Sequence, residues 1–184
     1  MKNVLGVLFV IAFVCFSCDG RQTKKESLQE AVSEFNLKAV SIPTITHSPE
    51  AYTEIVTDTL IANVVNVHIK NYTLKDAQIL VPTSVPGRQH YQRVFESEIL
   101  ITTAAKNILH TRISAQHFRA IESDPFWDHA TLEHTWVNQE LSSVEDITLD
   151  ISFMNPLTSA FKLYRMSINA QGQQTMTKIE EHSS

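Results

Sequence analysis

Cysteine is nearly absent from this chain. Of 184 residues only Cys15 and Cys18 carry a thiol, and both fall in the first eighteen positions. Everything after Cys18 therefore lacks a disulfide, a thiolate nucleophile and a cysteine metal ligand. Thiol proteases, dithiol redox motifs and cysteine zinc sites are excluded. A domain without disulfides must draw its stability from its core. Glycine is as scarce, at four residues: Gly6, Gly20, Gly87 and Gly172. No GxGxxG or GxxxxGKS/T run exists, so phosphate-cradling loops are excluded, and no GxSxG nucleophile elbow appears. There is no basic excess. The formal net charge of −5 leaves no electrostatic footprint for nucleic acid or anionic lipid. Nor is there an apolar run of the ~20 residues that cross a hydrocarbon core.

What is there begins with the first eighteen residues, MKNVLGVLFVIAFVCFSC. Lys2 supplies a positive start, and Val4 to Phe16 is an uninterrupted apolar run of 13 residues. That is too short to span a bilayer and has the length of a signal-peptide core. Phe16-Ser17-Cys18-Asp19-Gly20 then places a small residue directly before a cysteine. This resembles a bacterial lipoprotein signal, cleaved before a cysteine that carries the lipid, an acyl group such as palmitate. Cys15 stands where an aliphatic residue is usual, and Phe16 is larger than the common alanine or serine. Sites ending in Phe-Ser-Cys are similar to those of Bacteroidetes lipoproteins. The expected organisation is a lipoprotein signal peptide over residues 1–17, a lipid-anchored tether over 18–42 with room for one short helix, and a single β-rich globular domain over 43–184.

The tether opens with DGRQTKKE, polar and without apolar period. Its Lys24-Lys25-Glu26 cluster resembles the sorting segments of some Bacteroidetes lipoproteins. Ser27 and Glu30 have capping-box spacing, and Leu28, Ala31, Val32 and Phe35 share a helical face, which predicts a helix over Ser27 to Ala39. From residue 43 the period changes to two. Pro43 and Pro49 bracket an extended piece. Glu54 to Lys70 is rich in Ile, Val and Thr, and Val65, Val67 and Ile69 alternate with Asn66, His68 and Lys70. A turn near Asn71 to Asp76 precedes a short strand over Ala77 to Val81. Pro82 to Arg93 reads as a loop, displaying Arg88, His90, Tyr91 and Arg93 for an anion or carbohydrate contact.

Strands follow over Val94 to Thr103 and Asn107 to Ser114. A helix runs from Ser114 to Ser123 with Phe118 and Ile121 inward, and Asp124 caps a new turn with Pro125 in its first position. Leu132, His134 and Trp136 share one face of the next strand. Asp146 to Met154 alternates most cleanly: Ile147, Leu149, Ile151 and Phe153 point one way, Asp146, Thr148, Asp150 and Ser152 the other. Phe161 to Asn169 and Thr175 to Ile179 form a hairpin around Ala170 to Gln173. Glu180 to Ser184 reads as a frayed polar tail. The expected fold class is mainly β, with α+β as the alternative: an antiparallel sheet or sandwich of about seven strands with one or two short helices.

The eight histidines invite a metal site. The densest region holds Asp124, Asp128, His129, Glu133 and His134. On a helix His129 and His134 would diverge by roughly 140°, unlike the i, i+4 pair of H-E-x-x-H, and two ligands on one face make no site. On a strand His134 would be a core histidine with a hydrogen-bond partner. His110 and His117 belong to different elements, and His68 lies on a wet face. No serine has a nucleophile's context. Asp146 and Asp150 face the same way and read as surface acids rather than the two carboxylates of a glycosidase. No metal, cofactor or catalytic residue is expected. Asp58-Thr59-Leu60 resembles the Asp-Thr/Ser-aliphatic motif at which Bacteroidetes O-glycosylate exported proteins, with Thr59 as acceptor. Asn71-Tyr72-Thr73 matches an N-glycosylation acceptor that has little meaning in a bacterial lipoprotein.

Taken together, Asp58-Thr59-Leu60 leading into the Val65–Lys70 strand, Ile113-Ser114 through Phe118, and the strands Ile147–Phe153 and Leu163–Asn169 give the chain a resemblance. Across most of residues 55 to 170 it resembles a family of Bacteroidetes lipoproteins, a domain-of-unknown-function family that implies no activity. The expected protein is a lipid-anchored cell-envelope protein held by Cys18, with the outer membrane favoured. Its role is non-enzymatic binding or structure towards an envelope protein or glycan. The alternatives are an envelope hydrolase, which needs His110, His117, His129 or His134 to converge with Asp124 or Asp128, and a small apolar ligand carrier, which needs a deep apolar cavity.

Overall fold

The computed structural model describes residues 23–40 and 44–182. The stretch expected to be a signal over 1–17, Cys18 and the start of the expected tether lie outside the described residues. The chain divides into two units at residue 43, each described by itself. In the first, helix α1 spans Lys24–Val40, so Lys24-Lys25-Glu26 is its first turn rather than tether. The capping box forms one turn before the expected Ser27–Glu30 pair. The backbone N–H of Thr23 donates to Glu26 Oε2 at 3.0 Å and that of Glu26 to Thr23 Oγ1 at 3.4 Å, while the Ser27 hydroxyl turns back to the Lys24 carbonyl. Both pairs have the same spacing, but a box works only where N–H groups are free of intrahelical partners, and Ser27 N–H is already bonded to the Thr23 carbonyl. Leu28, Val32 and Phe35 stand exposed along α1.

The second unit is mainly β, as its alternation requires. Among the described residues nine strands form two sheets. Strands β1 (Thr44–Ser48), β2 (Glu54–Ile61), β3 (Val65–Val81), β4 (Arg88–Thr102) and β5 (Asn107–Ile113) make the first. Its order is β1-β4-β3-β2, with β5 pairing the C-terminal half of β4 on the edge whose N-terminal half takes β1. Strand β1 pairs with β4 in parallel, and the other pairings among the described residues are antiparallel. A short helix, α2 (Ala115–Ile121), and a 3-10 turn over Pro125–Asp128 lead to the second sheet. That sheet is an antiparallel meander of β6 (Thr131–Val137), β7 (Asp146–Asn155), β8 (Ala160–Asn169) and β9 (Gln174–His182). The core lies between the sheets. Val65, Val67 and Ile69 of β3 with Ile99 and Ile101 of β4 come from one side. Leu132, Leu149, Ile151, Phe153 and Ile168 come from the other, all fully buried. Gly172, at φ +79°, closes the β8–β9 turn where a Cβ would collide with the Ile108 carbonyl.

Four local expectations fail for identifiable reasons. The turn near Asn71 to Asp76 is instead a bulge within one continuous β3, where residues 74–77 stand opposite Val94 alone. The Pro82–Arg93 loop is shorter than expected, since β4 starts at Arg88 and pairs with both β1 and β3. In β6 an unpaired position at Glu133 shifts the alternation. Leu132 goes into the core, and His134 and Trp136 to the outer face, so His134 is not a core histidine. Finally, β9 does not fray at Glu180. Glu181 and His182 pair with Lys162 and Phe161.

Candidate functional site

Helix α2 and the 3-10 turn close one end of the sandwich with aromatic rings. Phe118 stacks on Trp127 at 4.6 Å between centroids and meets Phe153 and Tyr164 at 4.8 Å each. The local sequence explains the placement. Ser114 starts α2 in an extended conformation, and Phe118 then turns inward, although Ile121, expected beside it, is 78% exposed. Asp124 accepts the Phe126 N–H through Oδ1 at 2.9 Å, and Pro125 occupies the first helical position. Both capping expectations at Asp124-Pro125 match this geometry.

A polar belt surrounds the rings. The indole N–H of Trp127 donates to Glu122 Oε2 at 2.9 Å and the Tyr164 hydroxyl to Glu122 Oε1 at 3.2 Å. Beside them Lys162 of β8 is buried, its side chain 2% exposed. Its Nζ contacts Asp124 Oδ2 and lies 3.2 Å from Glu181 Oε1, with the rings of Phe126 and Trp127 at 5.0 and 5.5 Å. Lys178 holds the other oxygen of Glu181 at 2.5 Å. Burial pushes the Lys162 ammonium down, but bonds to Asp124 and Glu181 leave it above its ordinary value. Lys162 and the Phe126 N–H hold Asp124 below the usual carboxylate range, and Lys178 and Lys162 do the same for Glu181. Burial and the neighbouring Glu122 push the Tyr164 phenol up. Every shifted group in the belt moves away from neutral pH, so the cluster rests as a cation between two carboxylates. A cleft of about 250 Å³ opens beside it, lined by Asp124, Phe126, Asn155 and Glu181 among others.

On the other side of the 3-10 turn lies a larger groove of about 580 Å³. Its walls are the bulged part of the β3–β4 hairpin (Leu74, Ala77, Ile79, Val94) and α2 with the 3-10 turn (Ala115, Ala120, Trp127, Ala130). Glu96 and the Arg119–Asp128 ion pair, at 3.2 Å, supply its charge.

The residues weighed as a hydrolase site do not converge. His110 is bonded to Glu98 at 2.7 Å, and His117 contacts the Ser114 hydroxyl at 3.3 Å. His134 stacks on Trp136 at 5.7 Å, and His129 is exposed. Asp124 is engaged by Lys162, Asp128 by Arg119, and Glu133 by the Ser152 hydroxyl. Among the described residues no group of three or more His, Cys, Asp and Glu is placed to hold a metal ion. His68 pairs with Asp58 at 2.8 Å; Thr59 next to it is half-buried on edge strand β2. Arg88 and His90 line a cleft of about 390 Å³ with Thr46 and Pro82. Tyr91 stacks on His47, and Arg93 donates to the carbonyls of Pro49 and Glu50. Asp146 is exposed, but Asp150 is no surface acid. It is 5% exposed and takes a two-point contact from Arg165, at 2.8 and 3.0 Å, plus the Asn138 amide at 2.8 Å.

Lys162 and Glu181 escape sequence reasoning. The signal for Lys162 is its place in the inward series with Tyr164, Met166 and Ile168, where a lysine breaks an apolar face. No protein-family model matches the chain, and no curated protein matches it.

Proposed function

We propose that this is a cell-envelope lipoprotein, anchored through Cys18, whose β-sandwich serves as a binding module rather than an enzyme. The observation that carries the binding role is the groove at residues 74–79. An apolar-walled trough of about 580 Å³ stands open beside a single rim ion pair, Arg119–Asp128. Such a surface suits a mostly apolar segment of another envelope component. Across the 3-10 turn from the groove, the charged groups beside the smaller cleft are committed to one another. None of those that shift, Lys162, Asp124 and Glu181, moves toward the pH at which a hydrolase would need a proton donor and acceptor. In this reading Thr59 of the Asp-Thr-Leu motif carries an O-linked glycan on edge strand β2, where a bulky substituent also blocks pairing with another strand.

The test is native mass spectrometry of the full chain extracted gently from its own membrane. A diacyl or triacyl mass on Cys18 together with a co-purifying protein is the expected result, and Ala77→Trp, which fills the groove, removes that protein without removing the lipid. An unacylated chain cut elsewhere defeats the anchor. A partner that A77W retains defeats the groove. Thr59→Ala, measured alongside, is expected to lose the mass of one glycan.

A further inference from the structure

We propose that Lys162 and Asp124 condense to an intramolecular amide that clamps β8 to the turn carrying Phe126 and Trp127, with Glu181 as the proton carrier. The arrangement has the parts this reaction needs. An amine that is 2% exposed is held in contact with a carboxylate, and such placement supplies a very high effective concentration. The Phe126 and Trp127 rings, at 5.0 and 5.5 Å from Nζ, keep water from one side of the amine, while the side chains of Asp124 and Glu181, 38% and 37% exposed, open to solvent. The Phe126 N–H on Asp124 Oδ1, at 2.9 Å, is a donor aimed at the oxygen on which charge accumulates when the carboxyl carbon is attacked. Glu181 Oε1 lies 3.2 Å from Nζ, within reach of its proton.

The step balances without a co-reactant. Glu181 takes one proton from the Lys162 ammonium and passes it to Oδ2 of Asp124, and the freed amine attacks Cγ of the resulting carboxyl group. The N–C bond forms and the C–Oδ2 bond breaks. Nζ gives up two protons in all and both end on Oδ2, one of them by way of Glu181. Oδ2 leaves as water, and Glu181 returns to its carboxylate. The cleft of about 250 Å³ lined by Asp124 and Glu181 gives that water an exit. The ammonium is the resting form, so the free amine is rare. A reaction that happens once in the life of each chain tolerates that. The product does for a chain with no cysteine after Cys18 what disulfides do elsewhere, joining residues 38 positions apart.

The experiment is peptide mapping by mass spectrometry on the full-length protein after complete trypsin digestion in denaturant. No lysine or arginine lies between Arg119 and Lys162, so the expected product is one internally linked peptide over residues 120–165, uncleaved after Lys162 and lighter by one water than that linear span. In Glu181→Gln, whose amide cannot accept the proton, cleavage after Lys162 gives residues 120–162 and 163–165 at their unmodified masses. That pattern in the wild-type protein overturns the proposal, and no variant has to fold for that result to count. A link from Lys162 to Glu181 overturns the choice of Asp124, and a fully linked E181Q chain overturns the role given to Glu181.

Discussion

A buried charge is decided by its neighbours, and Asp150 shows it at the scale of one side chain. Burial pushes its carboxyl up, and the bonds from Arg165 and Asn138 outweigh that and hold it below the usual range. A carboxylate depressed in the folded state contributes its full stability above the unfolded value of about 4, and loses it as pH falls through the folded value. Asp150→Asn keeps the shape and removes the charge. Its expected cost is about 1.5–3 kcal/mol near neutral pH, the range for a hydrogen bond to a charged group. Its stability should fall less than the wild type's between about pH 5 and about pH 2. Urea denaturation at both pH values measures it, and parallel losses would show that Asp150 does not titrate with folding. None of this is legible in the sequence. Alternation puts Asp150 on the strand face opposite Leu149 and Ile151, and parity says nothing of what covers that outer face. Lys162 is hidden in the same way, since period-two reading assigns a face and not a partner.

Elements are legible wherever a regular period runs without an extra residue. The β7 alternation and the β8–β9 hairpin can be read nearly to their ends, and Asp124-Pro125 reads correctly as a cap and first turn. Bulges defeat the rest, because an inserted residue leaves composition unchanged while reversing every later side chain. At the end of β9, Ile179 is such an insertion: Leu163 pairs with Glu180 and Tyr164 with Lys178. The register therefore puts Glu181 opposite Lys162. A chain stopped after Ile179 loses that partner, and one stopped after His182 keeps it. The shorter chain is expected to lose about 1–3 kcal/mol, a fall in melting temperature of about 2–4 °C for each kcal/mol in a chain of this size. Equal melting temperatures for the two would return residues 180–182 to the status of a frayed tail. A second element carries strain of its own. Ala62 and Asn63, at φ 48° and 58°, make the turn from β2 to β3, and alanine is poorly suited to that region. Ala62→Gly should stabilise the protein by about 0.5–1 kcal/mol, after the greater freedom glycine gives the unfolded chain is set against the relief. A shift of the urea midpoint to higher concentration is the readout, and an unchanged or lower midpoint would refute it.

At the scale of the molecule, scarce cysteine and dense β-branched alternation point to a β fold stabilised by its core, and two sheets facing across Val67, Ile99, Leu149 and Ile151 fit that. The groove is not legible. It depends on the bulge at residues 74–77 meeting α2, and on the distance along the chain between them, which no local pattern encodes. The lipoprotein reading leads to a prediction for the whole chain. The described residues contain no helix long and apolar enough to cross a membrane, and the core residues all lie between 61 and 168. If the lipid on Cys18 is the anchor, a chain beginning at Asp19 keeps its fold and loses its membrane. Its melting temperature should match that of the full chain in detergent to within about 2 °C, since less than about 1 kcal/mol is at stake. In detergent phase separation the full chain should collect with the detergent and the shortened chain with the water. Retention of the shortened chain in the detergent phase would place the membrane contact on the protein surface itself, with exposed Ile55, Val56 and Leu60 of edge strand β2 the first place to look.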